Sequence, residues 1–149
     1  MTTLRNEIEI DAPMNLIWEA LTNVERLELY DPTVRKSTAI SVNHTGIGAK
    51  RKVDMADGKN WFEEKCTTHE LNDQLTYELT ACSFPIHNLK HSYSFEKKGN
   101  LIKVVQVMQY QMKYGFLGKI MDALMVRKKS DEGIKLFLSG LKSYAEENK

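Results

Sequence analysis

The chain has 149 residues, of which 42% are apolar and 28% are charged. That length is typical of one domain, and it allows about 70% of the surface exposed by the unfolded chain to be buried. The 21 basic and 20 acidic residues almost cancel, which disfavours a dedicated nucleic-acid-binding protein, because phosphate recognition requires a basic excess. The composition also excludes a mainly disordered chain, which would combine low hydrophobicity with high net charge.

The cysteine content and the length of the apolar runs indicate the cellular compartment of the protein. Cys66 and Cys82 are too few for a disulfide framework in a chain of this size. No apolar run approaches the ~20 residues of a membrane span, and the charged N-terminal segment is unlike a signal peptide. We therefore expect a cytoplasmic protein without stable membrane insertion. Its oligomeric state is left open.

The N-terminal segment predicts a strand followed by two short helices. Residues Leu4–Ile10 alternate between apolar and polar side chains, as in a half-buried strand. Pro13 suits the start of a helix, and a second helical turn near Leu27 ends before Pro32. Four apolar residues of the first helix fall at the spacing of one helical face: Met14, Ile17, Trp18 and Leu21.

Six further strands are predicted between residues 33 and 114. Turn sequences separate them, with hairpin signals at Asp57-Gly58 and Lys98-Gly99. Because no helix lies between consecutive strands, the sheet is expected to be antiparallel. The predicted strands are Thr33–Asn43, a strand ending near Met55, Asn60–Glu70, Leu75–Cys82, His91–Lys97 and Leu101–Tyr114.

The apolar period changes to that of a helix beyond Gly115, and the pattern continues to Ala145. The polar stretch at residues 127–132 and the adjacent Gly133 predict a bend there. The fold class is therefore α+β: a seven-stranded antiparallel sheet curled around a long C-terminal helix, with two short helices between strands 1 and 2. We treat residues 1–149 as one domain. A twisted sheet that curls around one helix can enclose space between them.

Two segments carry a resemblance to a known family. The sequence from Glu7 to Arg26, continuing to Tyr30-Asp31-Pro32, resembles the start of the polyketide cyclase/START-like (SRPBCC) superfamily, and Gly140–Glu147 is similar to the last helix of its bacterial members. The resemblance implies the helix-grip fold of the birch-pollen-allergen type, with a mostly apolar cavity between sheet and helix. It marks positions of the fold, and it does not single out one activity.

Apolar faces of the strands and the last helix are the candidate walls of such a cavity. Taken alone, these residues favour a filled core, and the resemblance shifts the expectation to a cavity. Methionine adapts its shape to a ligand, and tyrosine adds a polar tip. The candidate ligand-binding residues are Tyr77, Leu79, Tyr93, Phe95, Met108, Tyr110, Met112, Phe116, Ile120 and Leu124.

Polar candidates are fewer. The hydroxyls of Tyr77, Tyr93 and Tyr110 need partners if they are buried, either a ligand or a group of the protein. His91 shares a strand face with Tyr93 and is a candidate general base. The other three histidines stand in or near predicted turns, where we expect them to be solvated.

Charged residues are explained mostly as surface groups. Glu63 and Glu64 are neighbours on a strand, so Glu64 faces inward if Glu63 faces outward. The favoured interpretation is that both carboxylates lie at the surface, because a buried unpaired carboxylate is costly. The basic run at residues 127–129 precedes two acidic residues, which favours a solvated helix face. Cys66 and His69 point to opposite sides of a strand, so we expect no metal site, and no motif indicates a cofactor.

These observations favour a protein that binds a small apolar or aromatic, lipid-like or polyketide-like molecule. An enzyme of the cyclase, aromatase or dehydratase type acting in the same cavity is the alternative. A protein that presents its groove to a partner chain is a third hypothesis. Neither catalytic residues nor the ligand can be assigned from the sequence.

Overall fold

A computed structural model describes residues 1–149. None of its helices combines the length and the apolar character needed to cross a bilayer. The strands are β1 (Thr2–Ile10), β2 (Val34–Ala39), β3 (Lys50–Met55), β4 (Trp61–Glu70), β5 (Gln74–Cys82), β6 (Ile86–Lys98) and β7 (Leu101–Met112). The helices are α1 (Met14–Thr22), a 3-10 turn (Leu27–Leu29), α2 (Gly115–Met121), a π-helical turn (Asp122–Val126) and α3 (Arg127–Glu147).

The seven strands form one antiparallel sheet in the order β1-β7-β6-β5-β4-β3-β2. Each strand from β2 onward pairs with its neighbour in the chain, and β1 closes the far edge by pairing with β7, where Thr2 lies opposite Tyr110. The predicted seven-stranded antiparallel sheet with a long C-terminal helix is confirmed. The alternation of buried and half-exposed residues along β7 shows that a single face of the sheet is the inner one.

The core lies between this inner face and the helices α1 and α3. Trp18 of α1 is buried and packs edge-on against Phe95, with ring centroids 5.7 Å apart. Phe137 of α3 lies 5.7 Å from the ring of Tyr30 and 5.9 Å from that of Tyr93. These aromatic contacts join the C-terminal helix to the N-terminal helices and to β6.

The C-terminal helix runs without a break from Gly115, but its irregular turn is not where the sequence predicted a bend. Gly133 lies inside regular α3, and the π-helical turn falls at residues 122–126. The carboxylate of Asp122 explains this position, because it accepts hydrogen bonds from the Tyr110 hydroxyl and from Thr2 Oγ1, the latter at 2.6 Å. Satisfying that buried carboxylate ties the helix to the sheet edge.

The strand boundaries differ most from the prediction at the start of β6 and at the end of β2. β6 begins at Ile86, which pairs with Met112, and its register shifts between His87 and Lys90. β2 ends at Ala39, because the chain then enters a loop in which Gly46 and Gly48 both have φ of 88°. Local irregularities of this kind carry little periodic signal in a sequence.

Candidate functional site

A cavity of about 640 Å³ lies between the inner face of the sheet and the C-terminal helix. Its volume is in the range of about 300–1,000 Å³ typical of small-molecule sites. Most of the wall is apolar, and a cluster of buried polar side chains lines part of it. The apolar wall includes Leu27, Val34, Met55, Phe62, Phe84, Ile86, Leu89, Tyr93, Met108, Met121, Met125, Val126, Ile134 and Phe137, and the polar groups include Asp31, Arg51, Glu64, His91 and Gln106.

The polar cluster, which we call the floor, is built on a cross-strand ion pair. Arg51 of β3 and Glu64 of β4 lie directly opposite each other in the sheet and both point inward. Arg51 Nε donates to Glu64 Oε1 at 2.7 Å, and Arg51 Nη2 lies 2.5 Å from the same oxygen. Their side chains are only 4% and 2% exposed. A pair removed from water to this degree requires close mutual contact to offset its lost hydration.

The floor stays charged at neutral pH. Burial would raise the pKa of Glu64, but the charge of Arg51 and the contact with His91 outweigh it and lower that pKa to about 2. Burial likewise would lower the pKa of Arg51, and the adjacent carboxylate reverses the direction and raises it. The guanidinium also lies over the ring of Tyr77, 4.4 Å from its centroid, which adds a cation–π contact.

His91 and Asp31 extend the floor. His91 Nδ1 lies 3.5 Å from Glu64 Oε2, so the carboxylate lies on one side of the imidazole. Asp31 accepts hydrogen bonds from the Thr33 backbone N–H at 2.9 Å and from the Thr33 hydroxyl at 2.7 Å. Burial is the largest influence on Asp31 and raises the pKa of its carboxyl group.

Two buried atoms of the floor have no hydrogen-bond partner in the protein. They are Nη1 of Arg51, a donor, and the carboxamide Oε1 of Gln106, an acceptor. Gln106 is 2% exposed and lies on β7 opposite Tyr93 of β6. Unpaired buried polar groups are costly, at about 1–3 kcal/mol each, and they mark places where a ligand or an ordered water completes a site.

Tyr93 and Met108 are the two members of the predicted ligand-binding set that line this cavity. Tyr77 and Tyr110 are buried beside it, whereas Leu79, Phe95 and Met112 are half-buried outside its wall. The predicted helix residues Phe116, Ile120 and Leu124 face solvent, with exposed fractions of 76%, 40% and 79%. In the same helical stretch, Met121 and Met125 line the cavity.

The two tyrosines beside the cavity have partners within the protein. The Tyr77 hydroxyl donates to the backbone oxygen of Leu21 at 3.0 Å, which joins β5 to the end of α1. The Tyr110 hydroxyl donates to Asp122. Their hydroxyls therefore serve packing between elements. These partners could not be predicted from the local sequence, since each lies on a different secondary-structure element.

Glu64 faces inward, so the favoured interpretation of two surface carboxylates is wrong for this residue. The structure agrees with the alternative interpretation, in which Glu63 faces outward and its neighbour Glu64 therefore faces inward. The solvated position expected for His69 is also wrong, because its ring packs edge-on against Trp18 at 5.0 Å and its Nε2 is buried. Both residues face inward because the strand alternation of β4 places them there, with bulges that shift the register.

Arg51, Gln106 and Asp31 are the floor residues that sequence reasoning missed. A signal for Arg51 was present: it alternates with Ala49 and Val53, which are fully buried, so it had to share their face. Gln106 likewise alternates with Val104 and Met108 on β7. Charged and polar residues of a strand are ordinarily assigned to its solvent-facing side, so neither Arg51 nor Gln106 was considered for the cavity.

The sheet that grips a long helix over a cavity defines the helix-grip class of fold. A family profile described as polyketide cyclase/dehydrase and lipid transport matches residues 1–146, and the chain belongs to this family. A search of curated proteins finds no match to this chain.

Solved structures with the same fold come from several bacteria. A Thermus thermophilus protein superimposes with a TM-score of 0.80 at 19% identity, covering 95% of both chains. A START superfamily protein from Mycobacterium smegmatis gives a TM-score of 0.80 at 14% identity over 99% of both chains. A hypothetical protein from Helicobacter pylori gives 0.77 at 17% identity, covering 97% of this chain and 88% of the other. At these identities the likeness shows the fold alone.

Proposed function

We propose that this protein binds a small molecule with an apolar body and one polar end, held in the cavity between sheet and helix. The observation that carries the proposal is the contrast between the apolar wall and the floor, where Arg51 Nη1 and Gln106 Oε1 lack partners. An apolar body would cover the methionine and phenylalanine side chains of the wall. A polar end would restore hydrogen bonds to the floor.

The floor also narrows the chemistry of that polar end. Arg51 offers a donor and Gln106 an acceptor, while the charge of Arg51 is already matched by Glu64. A group that both accepts and donates, such as a hydroxyl, a protonated carboxyl or an enol, fits this pair better than a group that only accepts. The methionines Met55, Met108, Met121 and Met125 around the body suit ligands of varied shape, because thioether side chains repack easily.

A cyclase-type enzyme is the alternative, and it depends on His91. A general base must be in the cavity and oriented by a partner, and His91 is in the wall with Glu64 3.5 Å from its Nδ1. Binding is the function that the geometry supports best, because the apolar wall and the two unpaired floor atoms are already placed for a ligand, whereas catalysis would also require a general acid aligned with His91. Under the alternative, His91→Gln abolishes turnover while ligand affinity stays within about twofold.

Native mass spectrometry of the purified protein tests the binding proposal directly, together with titration of the fluorescent probe anilinonaphthalene sulfonate. Met108→Trp fills the cavity, and we expect it to weaken probe binding by at least about tenfold. Val107→Trp is the matched control, because Val107 lies on the other face of the same strand. Equal binding by both variants, with no small molecule retained by the native protein, would overturn the proposal.

A further inference from the structure

Helix α2 and the π-helical turn expose an apolar cluster that we call the α2 patch: Phe116, Leu117, Ile120 and Leu124. Their exposed fractions are 76%, 67%, 40% and 79%. Phe116, Ile120 and Leu124 follow at intervals of four, so they lie along one side of the helix. Single exposed apolar residues are ordinary, but a contiguous set of large ones marks an interaction surface.

The patch faces outward because the other side of the helix is held against the sheet. At Gly118 a Cβ atom would lie 1.9 Å from the backbone oxygen of Lys113, so the helix approaches the end of β7 as closely as glycine allows. One turn later, Asp122 is buried and bonded to Thr2 and Tyr110. These two anchors fix the rotation of the helix, and the exposure of the patch follows from it.

Exposed basic residues lie before, within and after the patch along the chain. Between residues 113 and 129 the acidic residue is Asp122, which is buried and bonded to Arg127 Nη2 at 3.1 Å. The basic residues of this stretch are Lys113, Lys119, Arg127, Lys128 and Lys129, and all five are exposed. Because the whole chain has 21 basic and 20 acidic residues, the rest of the chain is acidic. The positive charge is therefore concentrated beside the patch.

The patch is continuous with the rim of the cavity. Met121 and Met125 belong to the same helical stretch and line the cavity, as does Lys129 at the start of α3. Met125 is also 46% exposed, so it contributes to both surfaces. An apolar surface thus extends from the outside of the helix into the cavity.

We propose that the α2 patch docks on an anionic phospholipid bilayer. Phenylalanine and leucine side chains would enter the boundary between headgroups and acyl chains, while the surrounding lysines contact lipid phosphates. The charge complementarity favours this occupant over an apolar partner protein or a second copy of the chain. With these side chains inserted between lipids, the cavity rim next to them would face the membrane.

Cosedimentation with vesicles tests the proposal on the full chain. We expect binding to vesicles of equal parts phosphatidylglycerol and phosphatidylcholine, and at least about tenfold weaker binding to phosphatidylcholine alone. Phe116→Ser, Leu117→Ser and Leu124→Ser combined should weaken anionic binding by at least about tenfold. The matched control replaces Val42, Ile47 and Leu71 by serine, since these are also exposed apolar residues but lie away from the patch.

A fluorescent variant reports insertion itself. Phe116→Trp should shift its emission to shorter wavelength on anionic vesicles, and brominated lipids should quench it. Absence of binding to either vesicle, or equal loss in the control triple, overturns the proposal. Self-association that depends on Phe116 also overturns it and assigns the patch to a second copy. Met108→Trp should leave vesicle binding unchanged, so this test and that of the ligand cavity fail independently.

Discussion

The floor of the cavity and the α2 patch outside it reverse the usual distribution of side chains in opposite ways. At the floor, Arg51 and Glu64 are charged and buried, each less than 5% exposed. In the α2 patch, next to the cavity rim, Phe116 and Leu124 are apolar and more than 75% exposed. Proteins rarely tolerate the first arrangement without partners, and an extended form of the second indicates a surface that something covers.

The difference lies in where the compensation comes from. The floor charges are compensated inside the chain, because Arg51 has Glu64 and Tyr77, and Glu64 has Arg51 and His91. The α2 patch has no such partner in the chain. The floor is therefore coupled to folding, whereas the patch can be altered without affecting folding and must act on another molecule. The five predictions below test this contrast, from the largest expected effect to the smallest.

Glu64→Gln should have the largest effect, because it leaves the Arg51 charge buried without a counter-ion. We expect the free energy of unfolding at neutral pH to fall by about 3–5 kcal/mol, measured by urea denaturation. Glu63→Gln is the control, since Glu63 is half-exposed on the other face of the same strand. A loss below about 1 kcal/mol for Glu64→Gln would show that the pair is not coupled to folding.

The same pair predicts a specific acid dependence in the native sequence. The pKa of Glu64 is about 2 when folded, below its ordinary value of 4.5, so its ionisation stabilises the fold above pH 4.5. This contribution disappears as the pH falls from about 4.5 towards 2. Urea denaturation across that interval should show the loss in the native sequence, and Glu64→Gln should lack this component.

Arg51→Met should reverse the sign of that dependence. Without the guanidinium, burial raises the pKa of Glu64 above 4.5, and its contribution is lost as the pH rises through the new pKa. We expect a loss of about 3 kcal/mol near neutral pH and a smaller one near about pH 4. Adding Glu64→Leu should recover most of the stability, because an apolar pair can replace a buried ion pair. A double variant no more stable than Arg51→Met would contradict this explanation.

Gln106→Leu should stabilise the protein and impair its function. It removes a buried carboxamide whose oxygen has no partner, and we expect about 1 kcal/mol of added stability. Affinity for a ligand with a polar end should fall at the same time, as measured with 1-decanol, whereas the affinity for decane should not change. Gln109→Leu, on the outer face of β7, should change neither quantity. A destabilised Gln106→Leu protein would show that Gln106 has a structural role.

The serine triple in the α2 patch, Phe116→Ser with Leu117→Ser and Leu124→Ser, should have the smallest effect on folding. These side chains are exposed, so we expect the free energy of unfolding to change by no more than about 0.5 kcal/mol per site. Thermal and urea unfolding measure it. A loss of several kcal/mol would mean that the patch packs within the chain, and the contrast with the floor would then disappear.

The pattern of the sequence was sufficient for the architecture but not for the site. Alternation predicted the strands, and helical spacing predicted the first and last helices, because both signals are local and repeat over many residues. In the last helix, the apolar stripe was assigned to the cavity as a whole. The structure divides it, with Met121 and Met125 inside and Phe116 and Leu124 outside. Periodicity identifies an apolar face, but it does not indicate which part of that face a neighbour covers.

The sequence by itself determined the order of elements, the antiparallel sheet and the side of each strand that carries apolar residues, since those depend on neighbours two to four positions away. The tertiary structure decided which polar residues share a site. Arg51, Glu64, His91 and Gln106 come from four strands, and only sheet register brings them together. It also decided that Asp122 and Gly118 hold α2 with its apolar side outward. Contacts between distant segments depend on packing, which no local pattern encodes.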